Sequence, residues 1–187
     1  MLILASASPR RRQLLEQIGI PHLVRPAHID EILQPCESPA TFVSRLAFEK
    51  ASAVANDLPA ETILAADTTV ALGHEILNKP ASFADAKHML QLLSGRTHTV
   101  HTGIAVLRNG AAHTHVETTA VTFTSVLDEE LTAYLATGDS MDKAGAYGIQ
   151  GYAARWVSRI EGDFFNVMGL PLAATLTLLR HAGFPVT

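Results

Sequence analysis

At 187 residues, 48% of them apolar and 17% charged, the chain can bury a substantial core and is too poor in charge to be a disordered polyelectrolyte. Its formal net charge of −4 argues against a broad nucleic-acid-binding surface, so any anion must be met locally. A single cysteine, Cys36, excludes an internal disulfide and a Cys-based zinc cluster and suits a reducing cytoplasm. No apolar run approaches membrane-spanning length. The N-terminal stretch makes a poor signal peptide, because its apolar part is short and its positive charges follow it. Without repeats or low-complexity linkers, the expectation is one domain over residues 1–187.

Leu2 to Ala5 reads as a buried strand, followed by a small-residue turn and a helix start at Ser8-Pro9. That first turn carries Arg10, Arg11 and Arg12, where ordinary helices put acids. Free N–H groups and arginines at one helix end form a candidate phosphate cradle; the plainer alternative is a solvated basic cap with Arg12 pairing to Glu16. Arg11 falls on the stripe of Leu14, Leu15 and Ile18 and so points inward; Gly19 ends the helix. His22 to Arg25 suits a strand, and Ala27 to Pro35 a loop holding Asp30 and Glu31.

Ser38-Pro39 opens a second helix to about Asp57, with a buried stripe through Val43, Leu46, Ala47 and Val54. Lys50 lies in the middle of that stripe and must either find a partner for its charge or snorkel to water. Thr62 to Ala66 is an apolar strand interrupted by Asp67-Thr68-Thr69, either a functional acid in a costly place or an Asx turn. Gly73-His74 reads as a hairpin tip. Ser82 caps a helix that buries Ala86, Met89, Leu90 and Leu93. Asn109-Gly110 joins two long strands, Thr97 to Leu107 and Ala112 to Val126, by a type I′ turn. Asp128 caps a short helix ended by Gly138, and residues 142–151 form a glycine-punctuated loop. Ala153 to Ile160 suits a strand, and Pro171 starts a last helix closed by Gly183. A mid-chain antiparallel hairpin excludes a simple doubly wound parallel sheet.

Six charges sit where packing alone would not put them: Arg10, Arg11, Lys50 and Lys79, with Glu31 and Asp67. Four cations suit a polyphosphate, and two carboxylates suit a hard divalent ion and a base for its water. The generic expectation is metal-assisted attack on a phosphoanhydride.

The segment Ser6-Ala7-Ser8-Pro9-Arg10-Arg11 resembles the opening motif of the Maf family of nucleoside triphosphate pyrophosphatases. The agreement continues through Phe48-Glu49-Lys50-Ala51, Ala66-Asp67-Thr68, Asn78-Lys79-Pro80, Leu93-Ser94-Gly95 with His98, Thr102-Gly103 and Gly169-Leu170-Pro171-Leu172. The loop from Asp142 to Gly151 is similar to that of the subgroup acting on dTTP and UTP. The resemblance implies an α/β fold, a mixed twisted sheet flanked by helices in two lobes around a cleft, like inosine triphosphate pyrophosphatases. It implies hydrolysis of the α–β phosphoanhydride to a nucleoside monophosphate and pyrophosphate, with Mg²⁺ or Mn²⁺, in a cytoplasmic homodimer. By the same resemblance Asp67 is the proton acceptor and Arg10, Thr68 and Gln150 take part in substrate choice. Glu31, Lys50 and Lys79 line the phosphate and metal site, Ser8 and Arg11 bind substrate, and Glu31 and Asp67 hold the metal. A Gln at 150 suits this scheme, since its amide can pair twice with a pyrimidine imide edge and matches cytosine less well. A nucleotide-sensing regulator of cell division with little turnover is the alternative; it would not need the catalytic set at Glu31, Lys50, Asp67 and Lys79.

Other residues are not assigned to the site. His98 and His101 point to opposite faces of a strand, and His113 and His115 lie beside a hairpin tip as solvated histidines. Tyr147 either stacks on the base or is a structural core residue, Trp156 and Phe164-Phe165 belong to the core or a subunit interface, and Arg12, Asp30 and Cys36 are surface residues.

Overall fold

The computed structural model, which describes residues 1–186, buries the N-terminal run as β1 (Leu2–Leu4) between two parallel neighbours, β2 (Leu23–Val24) and β3 (Thr62–Leu72). A strand covered on both faces needs a continuous apolar sequence, and Leu2 to Ala5 supplies one. Beyond β3 the sheet is antiparallel. β4 (Glu75–Leu77) turns back on the end of β3. β5 (Thr97–Arg108) and β6 (Ala111–Phe123) form the long hairpin, and β7 (Val157–Glu161) adds the last strand. The order is β2-β1-β3-β5-β6-β7, with β4 attached to β3. Asn109 and Gly110 both have positive φ, 51° and 79°, as a type I′ turn demands.

Alternate residues divide between two cores. Ile3, Ala5, Ile63, Ala65 and Ala105 face α2 (Pro39–Asp57), which covers them with Ala47, Ala51 and Val54. Leu2, Leu4, Leu64, Ile104 and Val106 face the other way. They share the larger core with Leu14 and Leu15 of α1 (Pro9–Gln17), Leu90 and Leu93 of α3 (Phe83–Leu93) and Leu131 of α4 (Asp128–Ala136). A five-residue helix, α5 (Phe164–Met168), precedes α6 (Leu172–His181), which adds Leu178 and Leu179 to the same core. The result is the mixed sheet flanked by helices that the sequence leads one to expect.

Gly103 on β5 pairs with Asp67 on β3, and α2 lies directly over it. A Cβ at 103 would overlap the Val43 carbonyl and come within 2.8 Å of Ser44 N, so only glycine admits this approach of helix to sheet.

Several local expectations are corrected. Asp67-Thr68-Thr69 is no turn: β3 runs uninterrupted through it, paired residue by residue with β5. Residues 153–156 are a 3-10 turn, not strand, because Trp156 is drawn into the core among Phe123, Tyr134 and Tyr152; pairing with β6 starts only at Val157. Leu127, not Asp128, occupies the cap position of α4, and its N–H is met by Glu130. Asp128 instead bonds Lys87 and Gln91 of α3. β6 ends at Phe123, short of Val126. Trp156 takes the core place expected of it, and Phe164 is 42% exposed.

His98 is buried on β5, with Nε2 2.8 Å from the Tyr147 hydroxyl and its ring edge-on to Phe123. Burial pushes its pKa down from 6.5 to about 4. In this window the unfolded chain binds more protons than the folded one, so the His98 contribution is complete above pH 6.5 and is lost as pH falls toward 4. The full loss amounts to about 3 kcal/mol. Urea unfolding at pH 7 and pH 4.5 should therefore show a stability slope that shrinks in His98→Gln; an unchanged slope would remove His98 as its source.

Candidate active site

Where α1 begins, the chain leaves β1 through Ala5 and Ser6 and enters the helix at Pro9, with Ser8 in extended backbone before it. The Ser8 side chain makes no capping bond, and Ser8 N–H donates to Ser6 Oγ at 3.2 Å. This turn forms one wall of a cleft of about 760 Å³. Ser8, Arg10, Arg11, Glu31, Lys50, Asp67, Thr68, Lys79 and Gln150 all line it. Residues scattered from position 8 to position 150 thus meet in one cavity.

Lys50 lies at the centre of the charge arrangement. It is 8% exposed, and its Nζ is 2.6 Å from both Asp67 Oδ1 and Glu31 Oε1. The lysine on the apolar stripe does not snorkel; it finds the acid on the apolar strand. Each oddity of the sequence is the partner of the other. Burial raises the Glu31 carboxyl, but the hydrogen bond and charge of Lys50, with Lys79 and Arg11, outweigh it and hold the group below the usual carboxylate range. Lys79 is exposed at the rim, and Asn78 beside it accepts a 2.6 Å bond from Thr69.

Asp67 and Thr68 are consecutive on a strand, so their side chains leave opposite faces. Asp67 meets Lys50 of α2, and Thr68 meets Arg11 of α1. Arg11 is buried and points inward as its place on the stripe requires. Its Nε donates to Gly169 O at 2.7 Å, Nη1 to Ser6 Oγ at 3.1 Å and Nη2 to Thr68 Oγ1 at 2.9 Å. Three of its five N–H groups are therefore engaged in bracing the turn, leaving two for a ligand. Burial pulls its pKa below the ordinary value, with Asp67 acting in the opposite sense. Thr68 Oγ1 also contacts Thr102 Oγ1 at 2.9 Å, and Thr102 donates to Asn166 O. The three arginines separate as expected: Arg10 and Arg11 line the cleft, whereas Arg12 faces solvent and pairs with Glu16.

Gln150 is exposed and lines the same cleft from the glycine-punctuated loop. That loop brings Asp142 and Lys143 to the cleft, and the turn before it brings Asp139; none of the three was expected in the site. Lys143 is 9% exposed, and the loop has no periodicity from which that burial could be read. Tyr147 lines the cleft yet is 4% exposed and tied to His98.

Among the described residues no group of three or more His, Cys, Asp or Glu is arranged to hold a metal. Glu31 and Asp67 converge on one cation, Lys50. Two carboxylates beside the cations of this cleft fit an ion of the Mg²⁺ type, which is commonly bound through one or two carboxylates with substrate phosphates and water completing its shell. Chemically, the cleft can receive a polyanion along Arg10, Arg11, Lys50 and Lys79, hold a carboxylate against it, and present an amide to whatever extends toward Gln150.

Fold and site together define an α/β protein whose mixed sheet carries a cleft lined by arginines, lysines and carboxylates, of the kind that handles phosphorylated ligands. The sequence profile described as "Maf-like protein" matches residues 1–182, and the chain belongs to the Maf family. The dTTP/UTP pyrophosphatase of Koribacter versatilis is 48% identical over 182 residues, covering 97% of this chain and 94% of that protein. The dTTP/UTP pyrophosphatase of Anaeromyxobacter dehalogenans is 50% identical over 189 residues, covering 99% and 95%. Among solved structures, the Staphylococcus aureus Ham1 protein aligns with a TM-score of 0.56 at 14% identity, covering 96% of this chain and 98% of that one. At that identity the likeness speaks for the fold alone. No helix of the described residues is long and apolar enough to cross a membrane.

Proposed function

We propose that this protein is a nucleoside triphosphate pyrophosphatase that hydrolyses dTTP and UTP to the monophosphate and pyrophosphate. The observation that carries the reading is the meeting of Ser8, Arg10, Arg11, Glu31, Lys50, Asp67, Thr68, Lys79 and Gln150 in one cleft. The substrate pair rests on relatives of that printed activity that align with nearly the whole chain. In this scheme Arg10, Arg11, Lys50 and Lys79 receive the triphosphate. Lys50 and Lys79 stabilise the pyrophosphate, whose charge grows as it leaves. Asp67, fixed by Lys50, accepts the proton of the water that attacks the α-phosphorus. Thr68 and Ser8 present hydroxyls, and Gln150 reads the imide edge of the pyrimidine. Glu31 and Asp67 would hold Mg²⁺ or Mn²⁺, which when bound polarises the phosphate oxygens and acidifies water. The protein works as a single domain and a homodimer, as the family resemblance implies. The lone Cys36, with no intrachain partner, supports a reducing cytoplasmic setting.

The test is product analysis. Pure protein with Mg²⁺ or Mn²⁺ should convert UTP and dTTP to UMP and dTMP with one pyrophosphate each, and CTP more slowly. Release of UDP and orthophosphate would overturn the α–β cleavage. Tight nucleotide binding without turnover would favour a regulatory protein instead.

A further inference from the structure

Lys143 is almost fully buried in a polar setting that the reaction scheme above does not use. Its Nζ donates to Asp139 Oδ1 at 2.7 Å, to the Asp139 carbonyl at 2.6 Å and to Asp142 Oδ1 at 2.6 Å. All three ammonium donors are thus committed to the protein. The segment bearing Gln150 rests on this cluster. A Cβ at Gly148 would come within 2.8 Å of Lys143 Cε, and one at Gly151 within 3.2 Å of Asp139 Oδ2. Glycine on both sides of Gln150 lets the backbone sit down on the Lys143–Asp139 pair. On its other side the same cluster reaches Arg10, whose Nη1 is 3.4 Å from Asp142 Oδ2. Asp142 is therefore shared between Lys143 and the arginine turn.

We propose that Lys143 is a positioning residue for base selection: its stem lies under Gly148, and its ammonium holds Asp139 under Gly151 and, through Asp142, ties the Gln150 segment to Arg10. Two elements from opposite ends of the chain are thereby set at one spacing. A nucleotide whose base pairs with Gln150 must place its phosphates along the arginine turn at the distance this bridge defines. With its three donors taken by Asp139 and Asp142, Lys143 has none left for base or phosphate. Its effect falls on discrimination between bases, not on the chemical step. The loop is also pinned elsewhere, by Gly145 N–H to Asn78 O at 3.3 Å and by the Tyr147–His98 contact, so loss of the ammonium displaces the seat without releasing the whole loop.

This inference rests on the pyrophosphatase reading, and the experiment separates the two. Steady-state pyrophosphate release from UTP and CTP is compared for the wild type, Lys143→Met and Asp142→Asn, with thermal melts as folding controls. Methionine keeps the unbranched stem beneath Gly148 and removes the charge. Lys143→Met should raise KM for UTP and lower the UTP-to-CTP ratio of kcat/KM by about tenfold or more, while kcat for UTP changes only a few-fold. Asp142→Asn, which keeps the shape and breaks the tie to Arg10, should move the ratio in the same direction by less, and it carries the test if Lys143→Met does not fold. A ratio unchanged in the folded variant, or an equal fall in kcat for both nucleotides, overturns the role of Lys143 and leaves the pyrophosphatase reading standing. A wild type that releases no pyrophosphate from UTP overturns both.

Discussion

Asp67→Asn is expected to lower kcat for UTP by about 10³-fold with KM within a few-fold of wild type, the range typical of removing a general base. Asparagine is close in shape, and β3 pairs with β5 through backbone on both sides of position 67, so the strand stays in place. What is lost is the proton acceptor and one of the two charges on Lys50. Pyrophosphate release at saturating UTP measures the effect, and a thermal melt confirms the fold. Full turnover by Asp67→Asn would show that the base lies elsewhere.

Lys50→Met is the second large effect, and it falls on stability as well as activity. Methionine suits the apolar stripe of α2, yet it leaves Asp67, 6% exposed, without its cation. Removing one member of a buried ion pair costs about 3–5 kcal/mol, because the remaining charge stays desolvated and uncompensated. Urea unfolding near neutral pH should show a loss in that range. Adding Asp67→Asn to Lys50→Met should recover a good part of it, since the pair is then gone as a unit. A loss below about 1 kcal/mol, as for an exposed pair, would mean that Lys50 does not hold Asp67 in solution.

Both predictions come from residues that were conspicuous in the sequence. Lys50 sits on a helix face otherwise made of Val43, Leu46, Ala47 and Val54, and Asp67 follows the apolar run Ile63-Leu64-Ala65-Ala66 of a strand. Periodicity legible over a few turns flagged each as a charge needing a partner. It did not say that they were each other's, because that contact depends on how α2 lies across the sheet. The second helix was readable from the Ser38-Pro39 start to about Asp57, because cap, proline and apolar stripe all agree. The hairpin turn was readable from Asn109-Gly110, although β6 ends three residues before the expected Val126. Where the reading fell short, the local pattern was overridden or too brief. Residues 153–156 alternate like a strand, but the pull of Trp156 into an aromatic cluster decides their conformation. α5 is too short to show a period. The bonds from Arg11 to Thr68 and Gly169 span 57 and 158 positions, and no local signal carries them. The Lys143 cluster was hidden differently. Its partners are neighbours in sequence, but only the fold shows that the lysine stem is buried under Gly148.

The contact of α2 with Gly103 has a bearing on how this cleft can vary. Lys50 reaches Asp67 from a helix that touches the sheet main chain against main chain, with no side chain as a spacer at that point. The separation between the two charges is therefore gauged by the thickness of the polypeptide backbone itself. Core substitutions elsewhere can change the volume behind α2 without resetting this gauge, so the cores can drift in sequence while the charged centre keeps its dimensions. The cost is rigidity of choice at one position. Any side chain at 103 would act as a shim and lift the lysine away from the acid, even though residue 103 itself carries no chemistry.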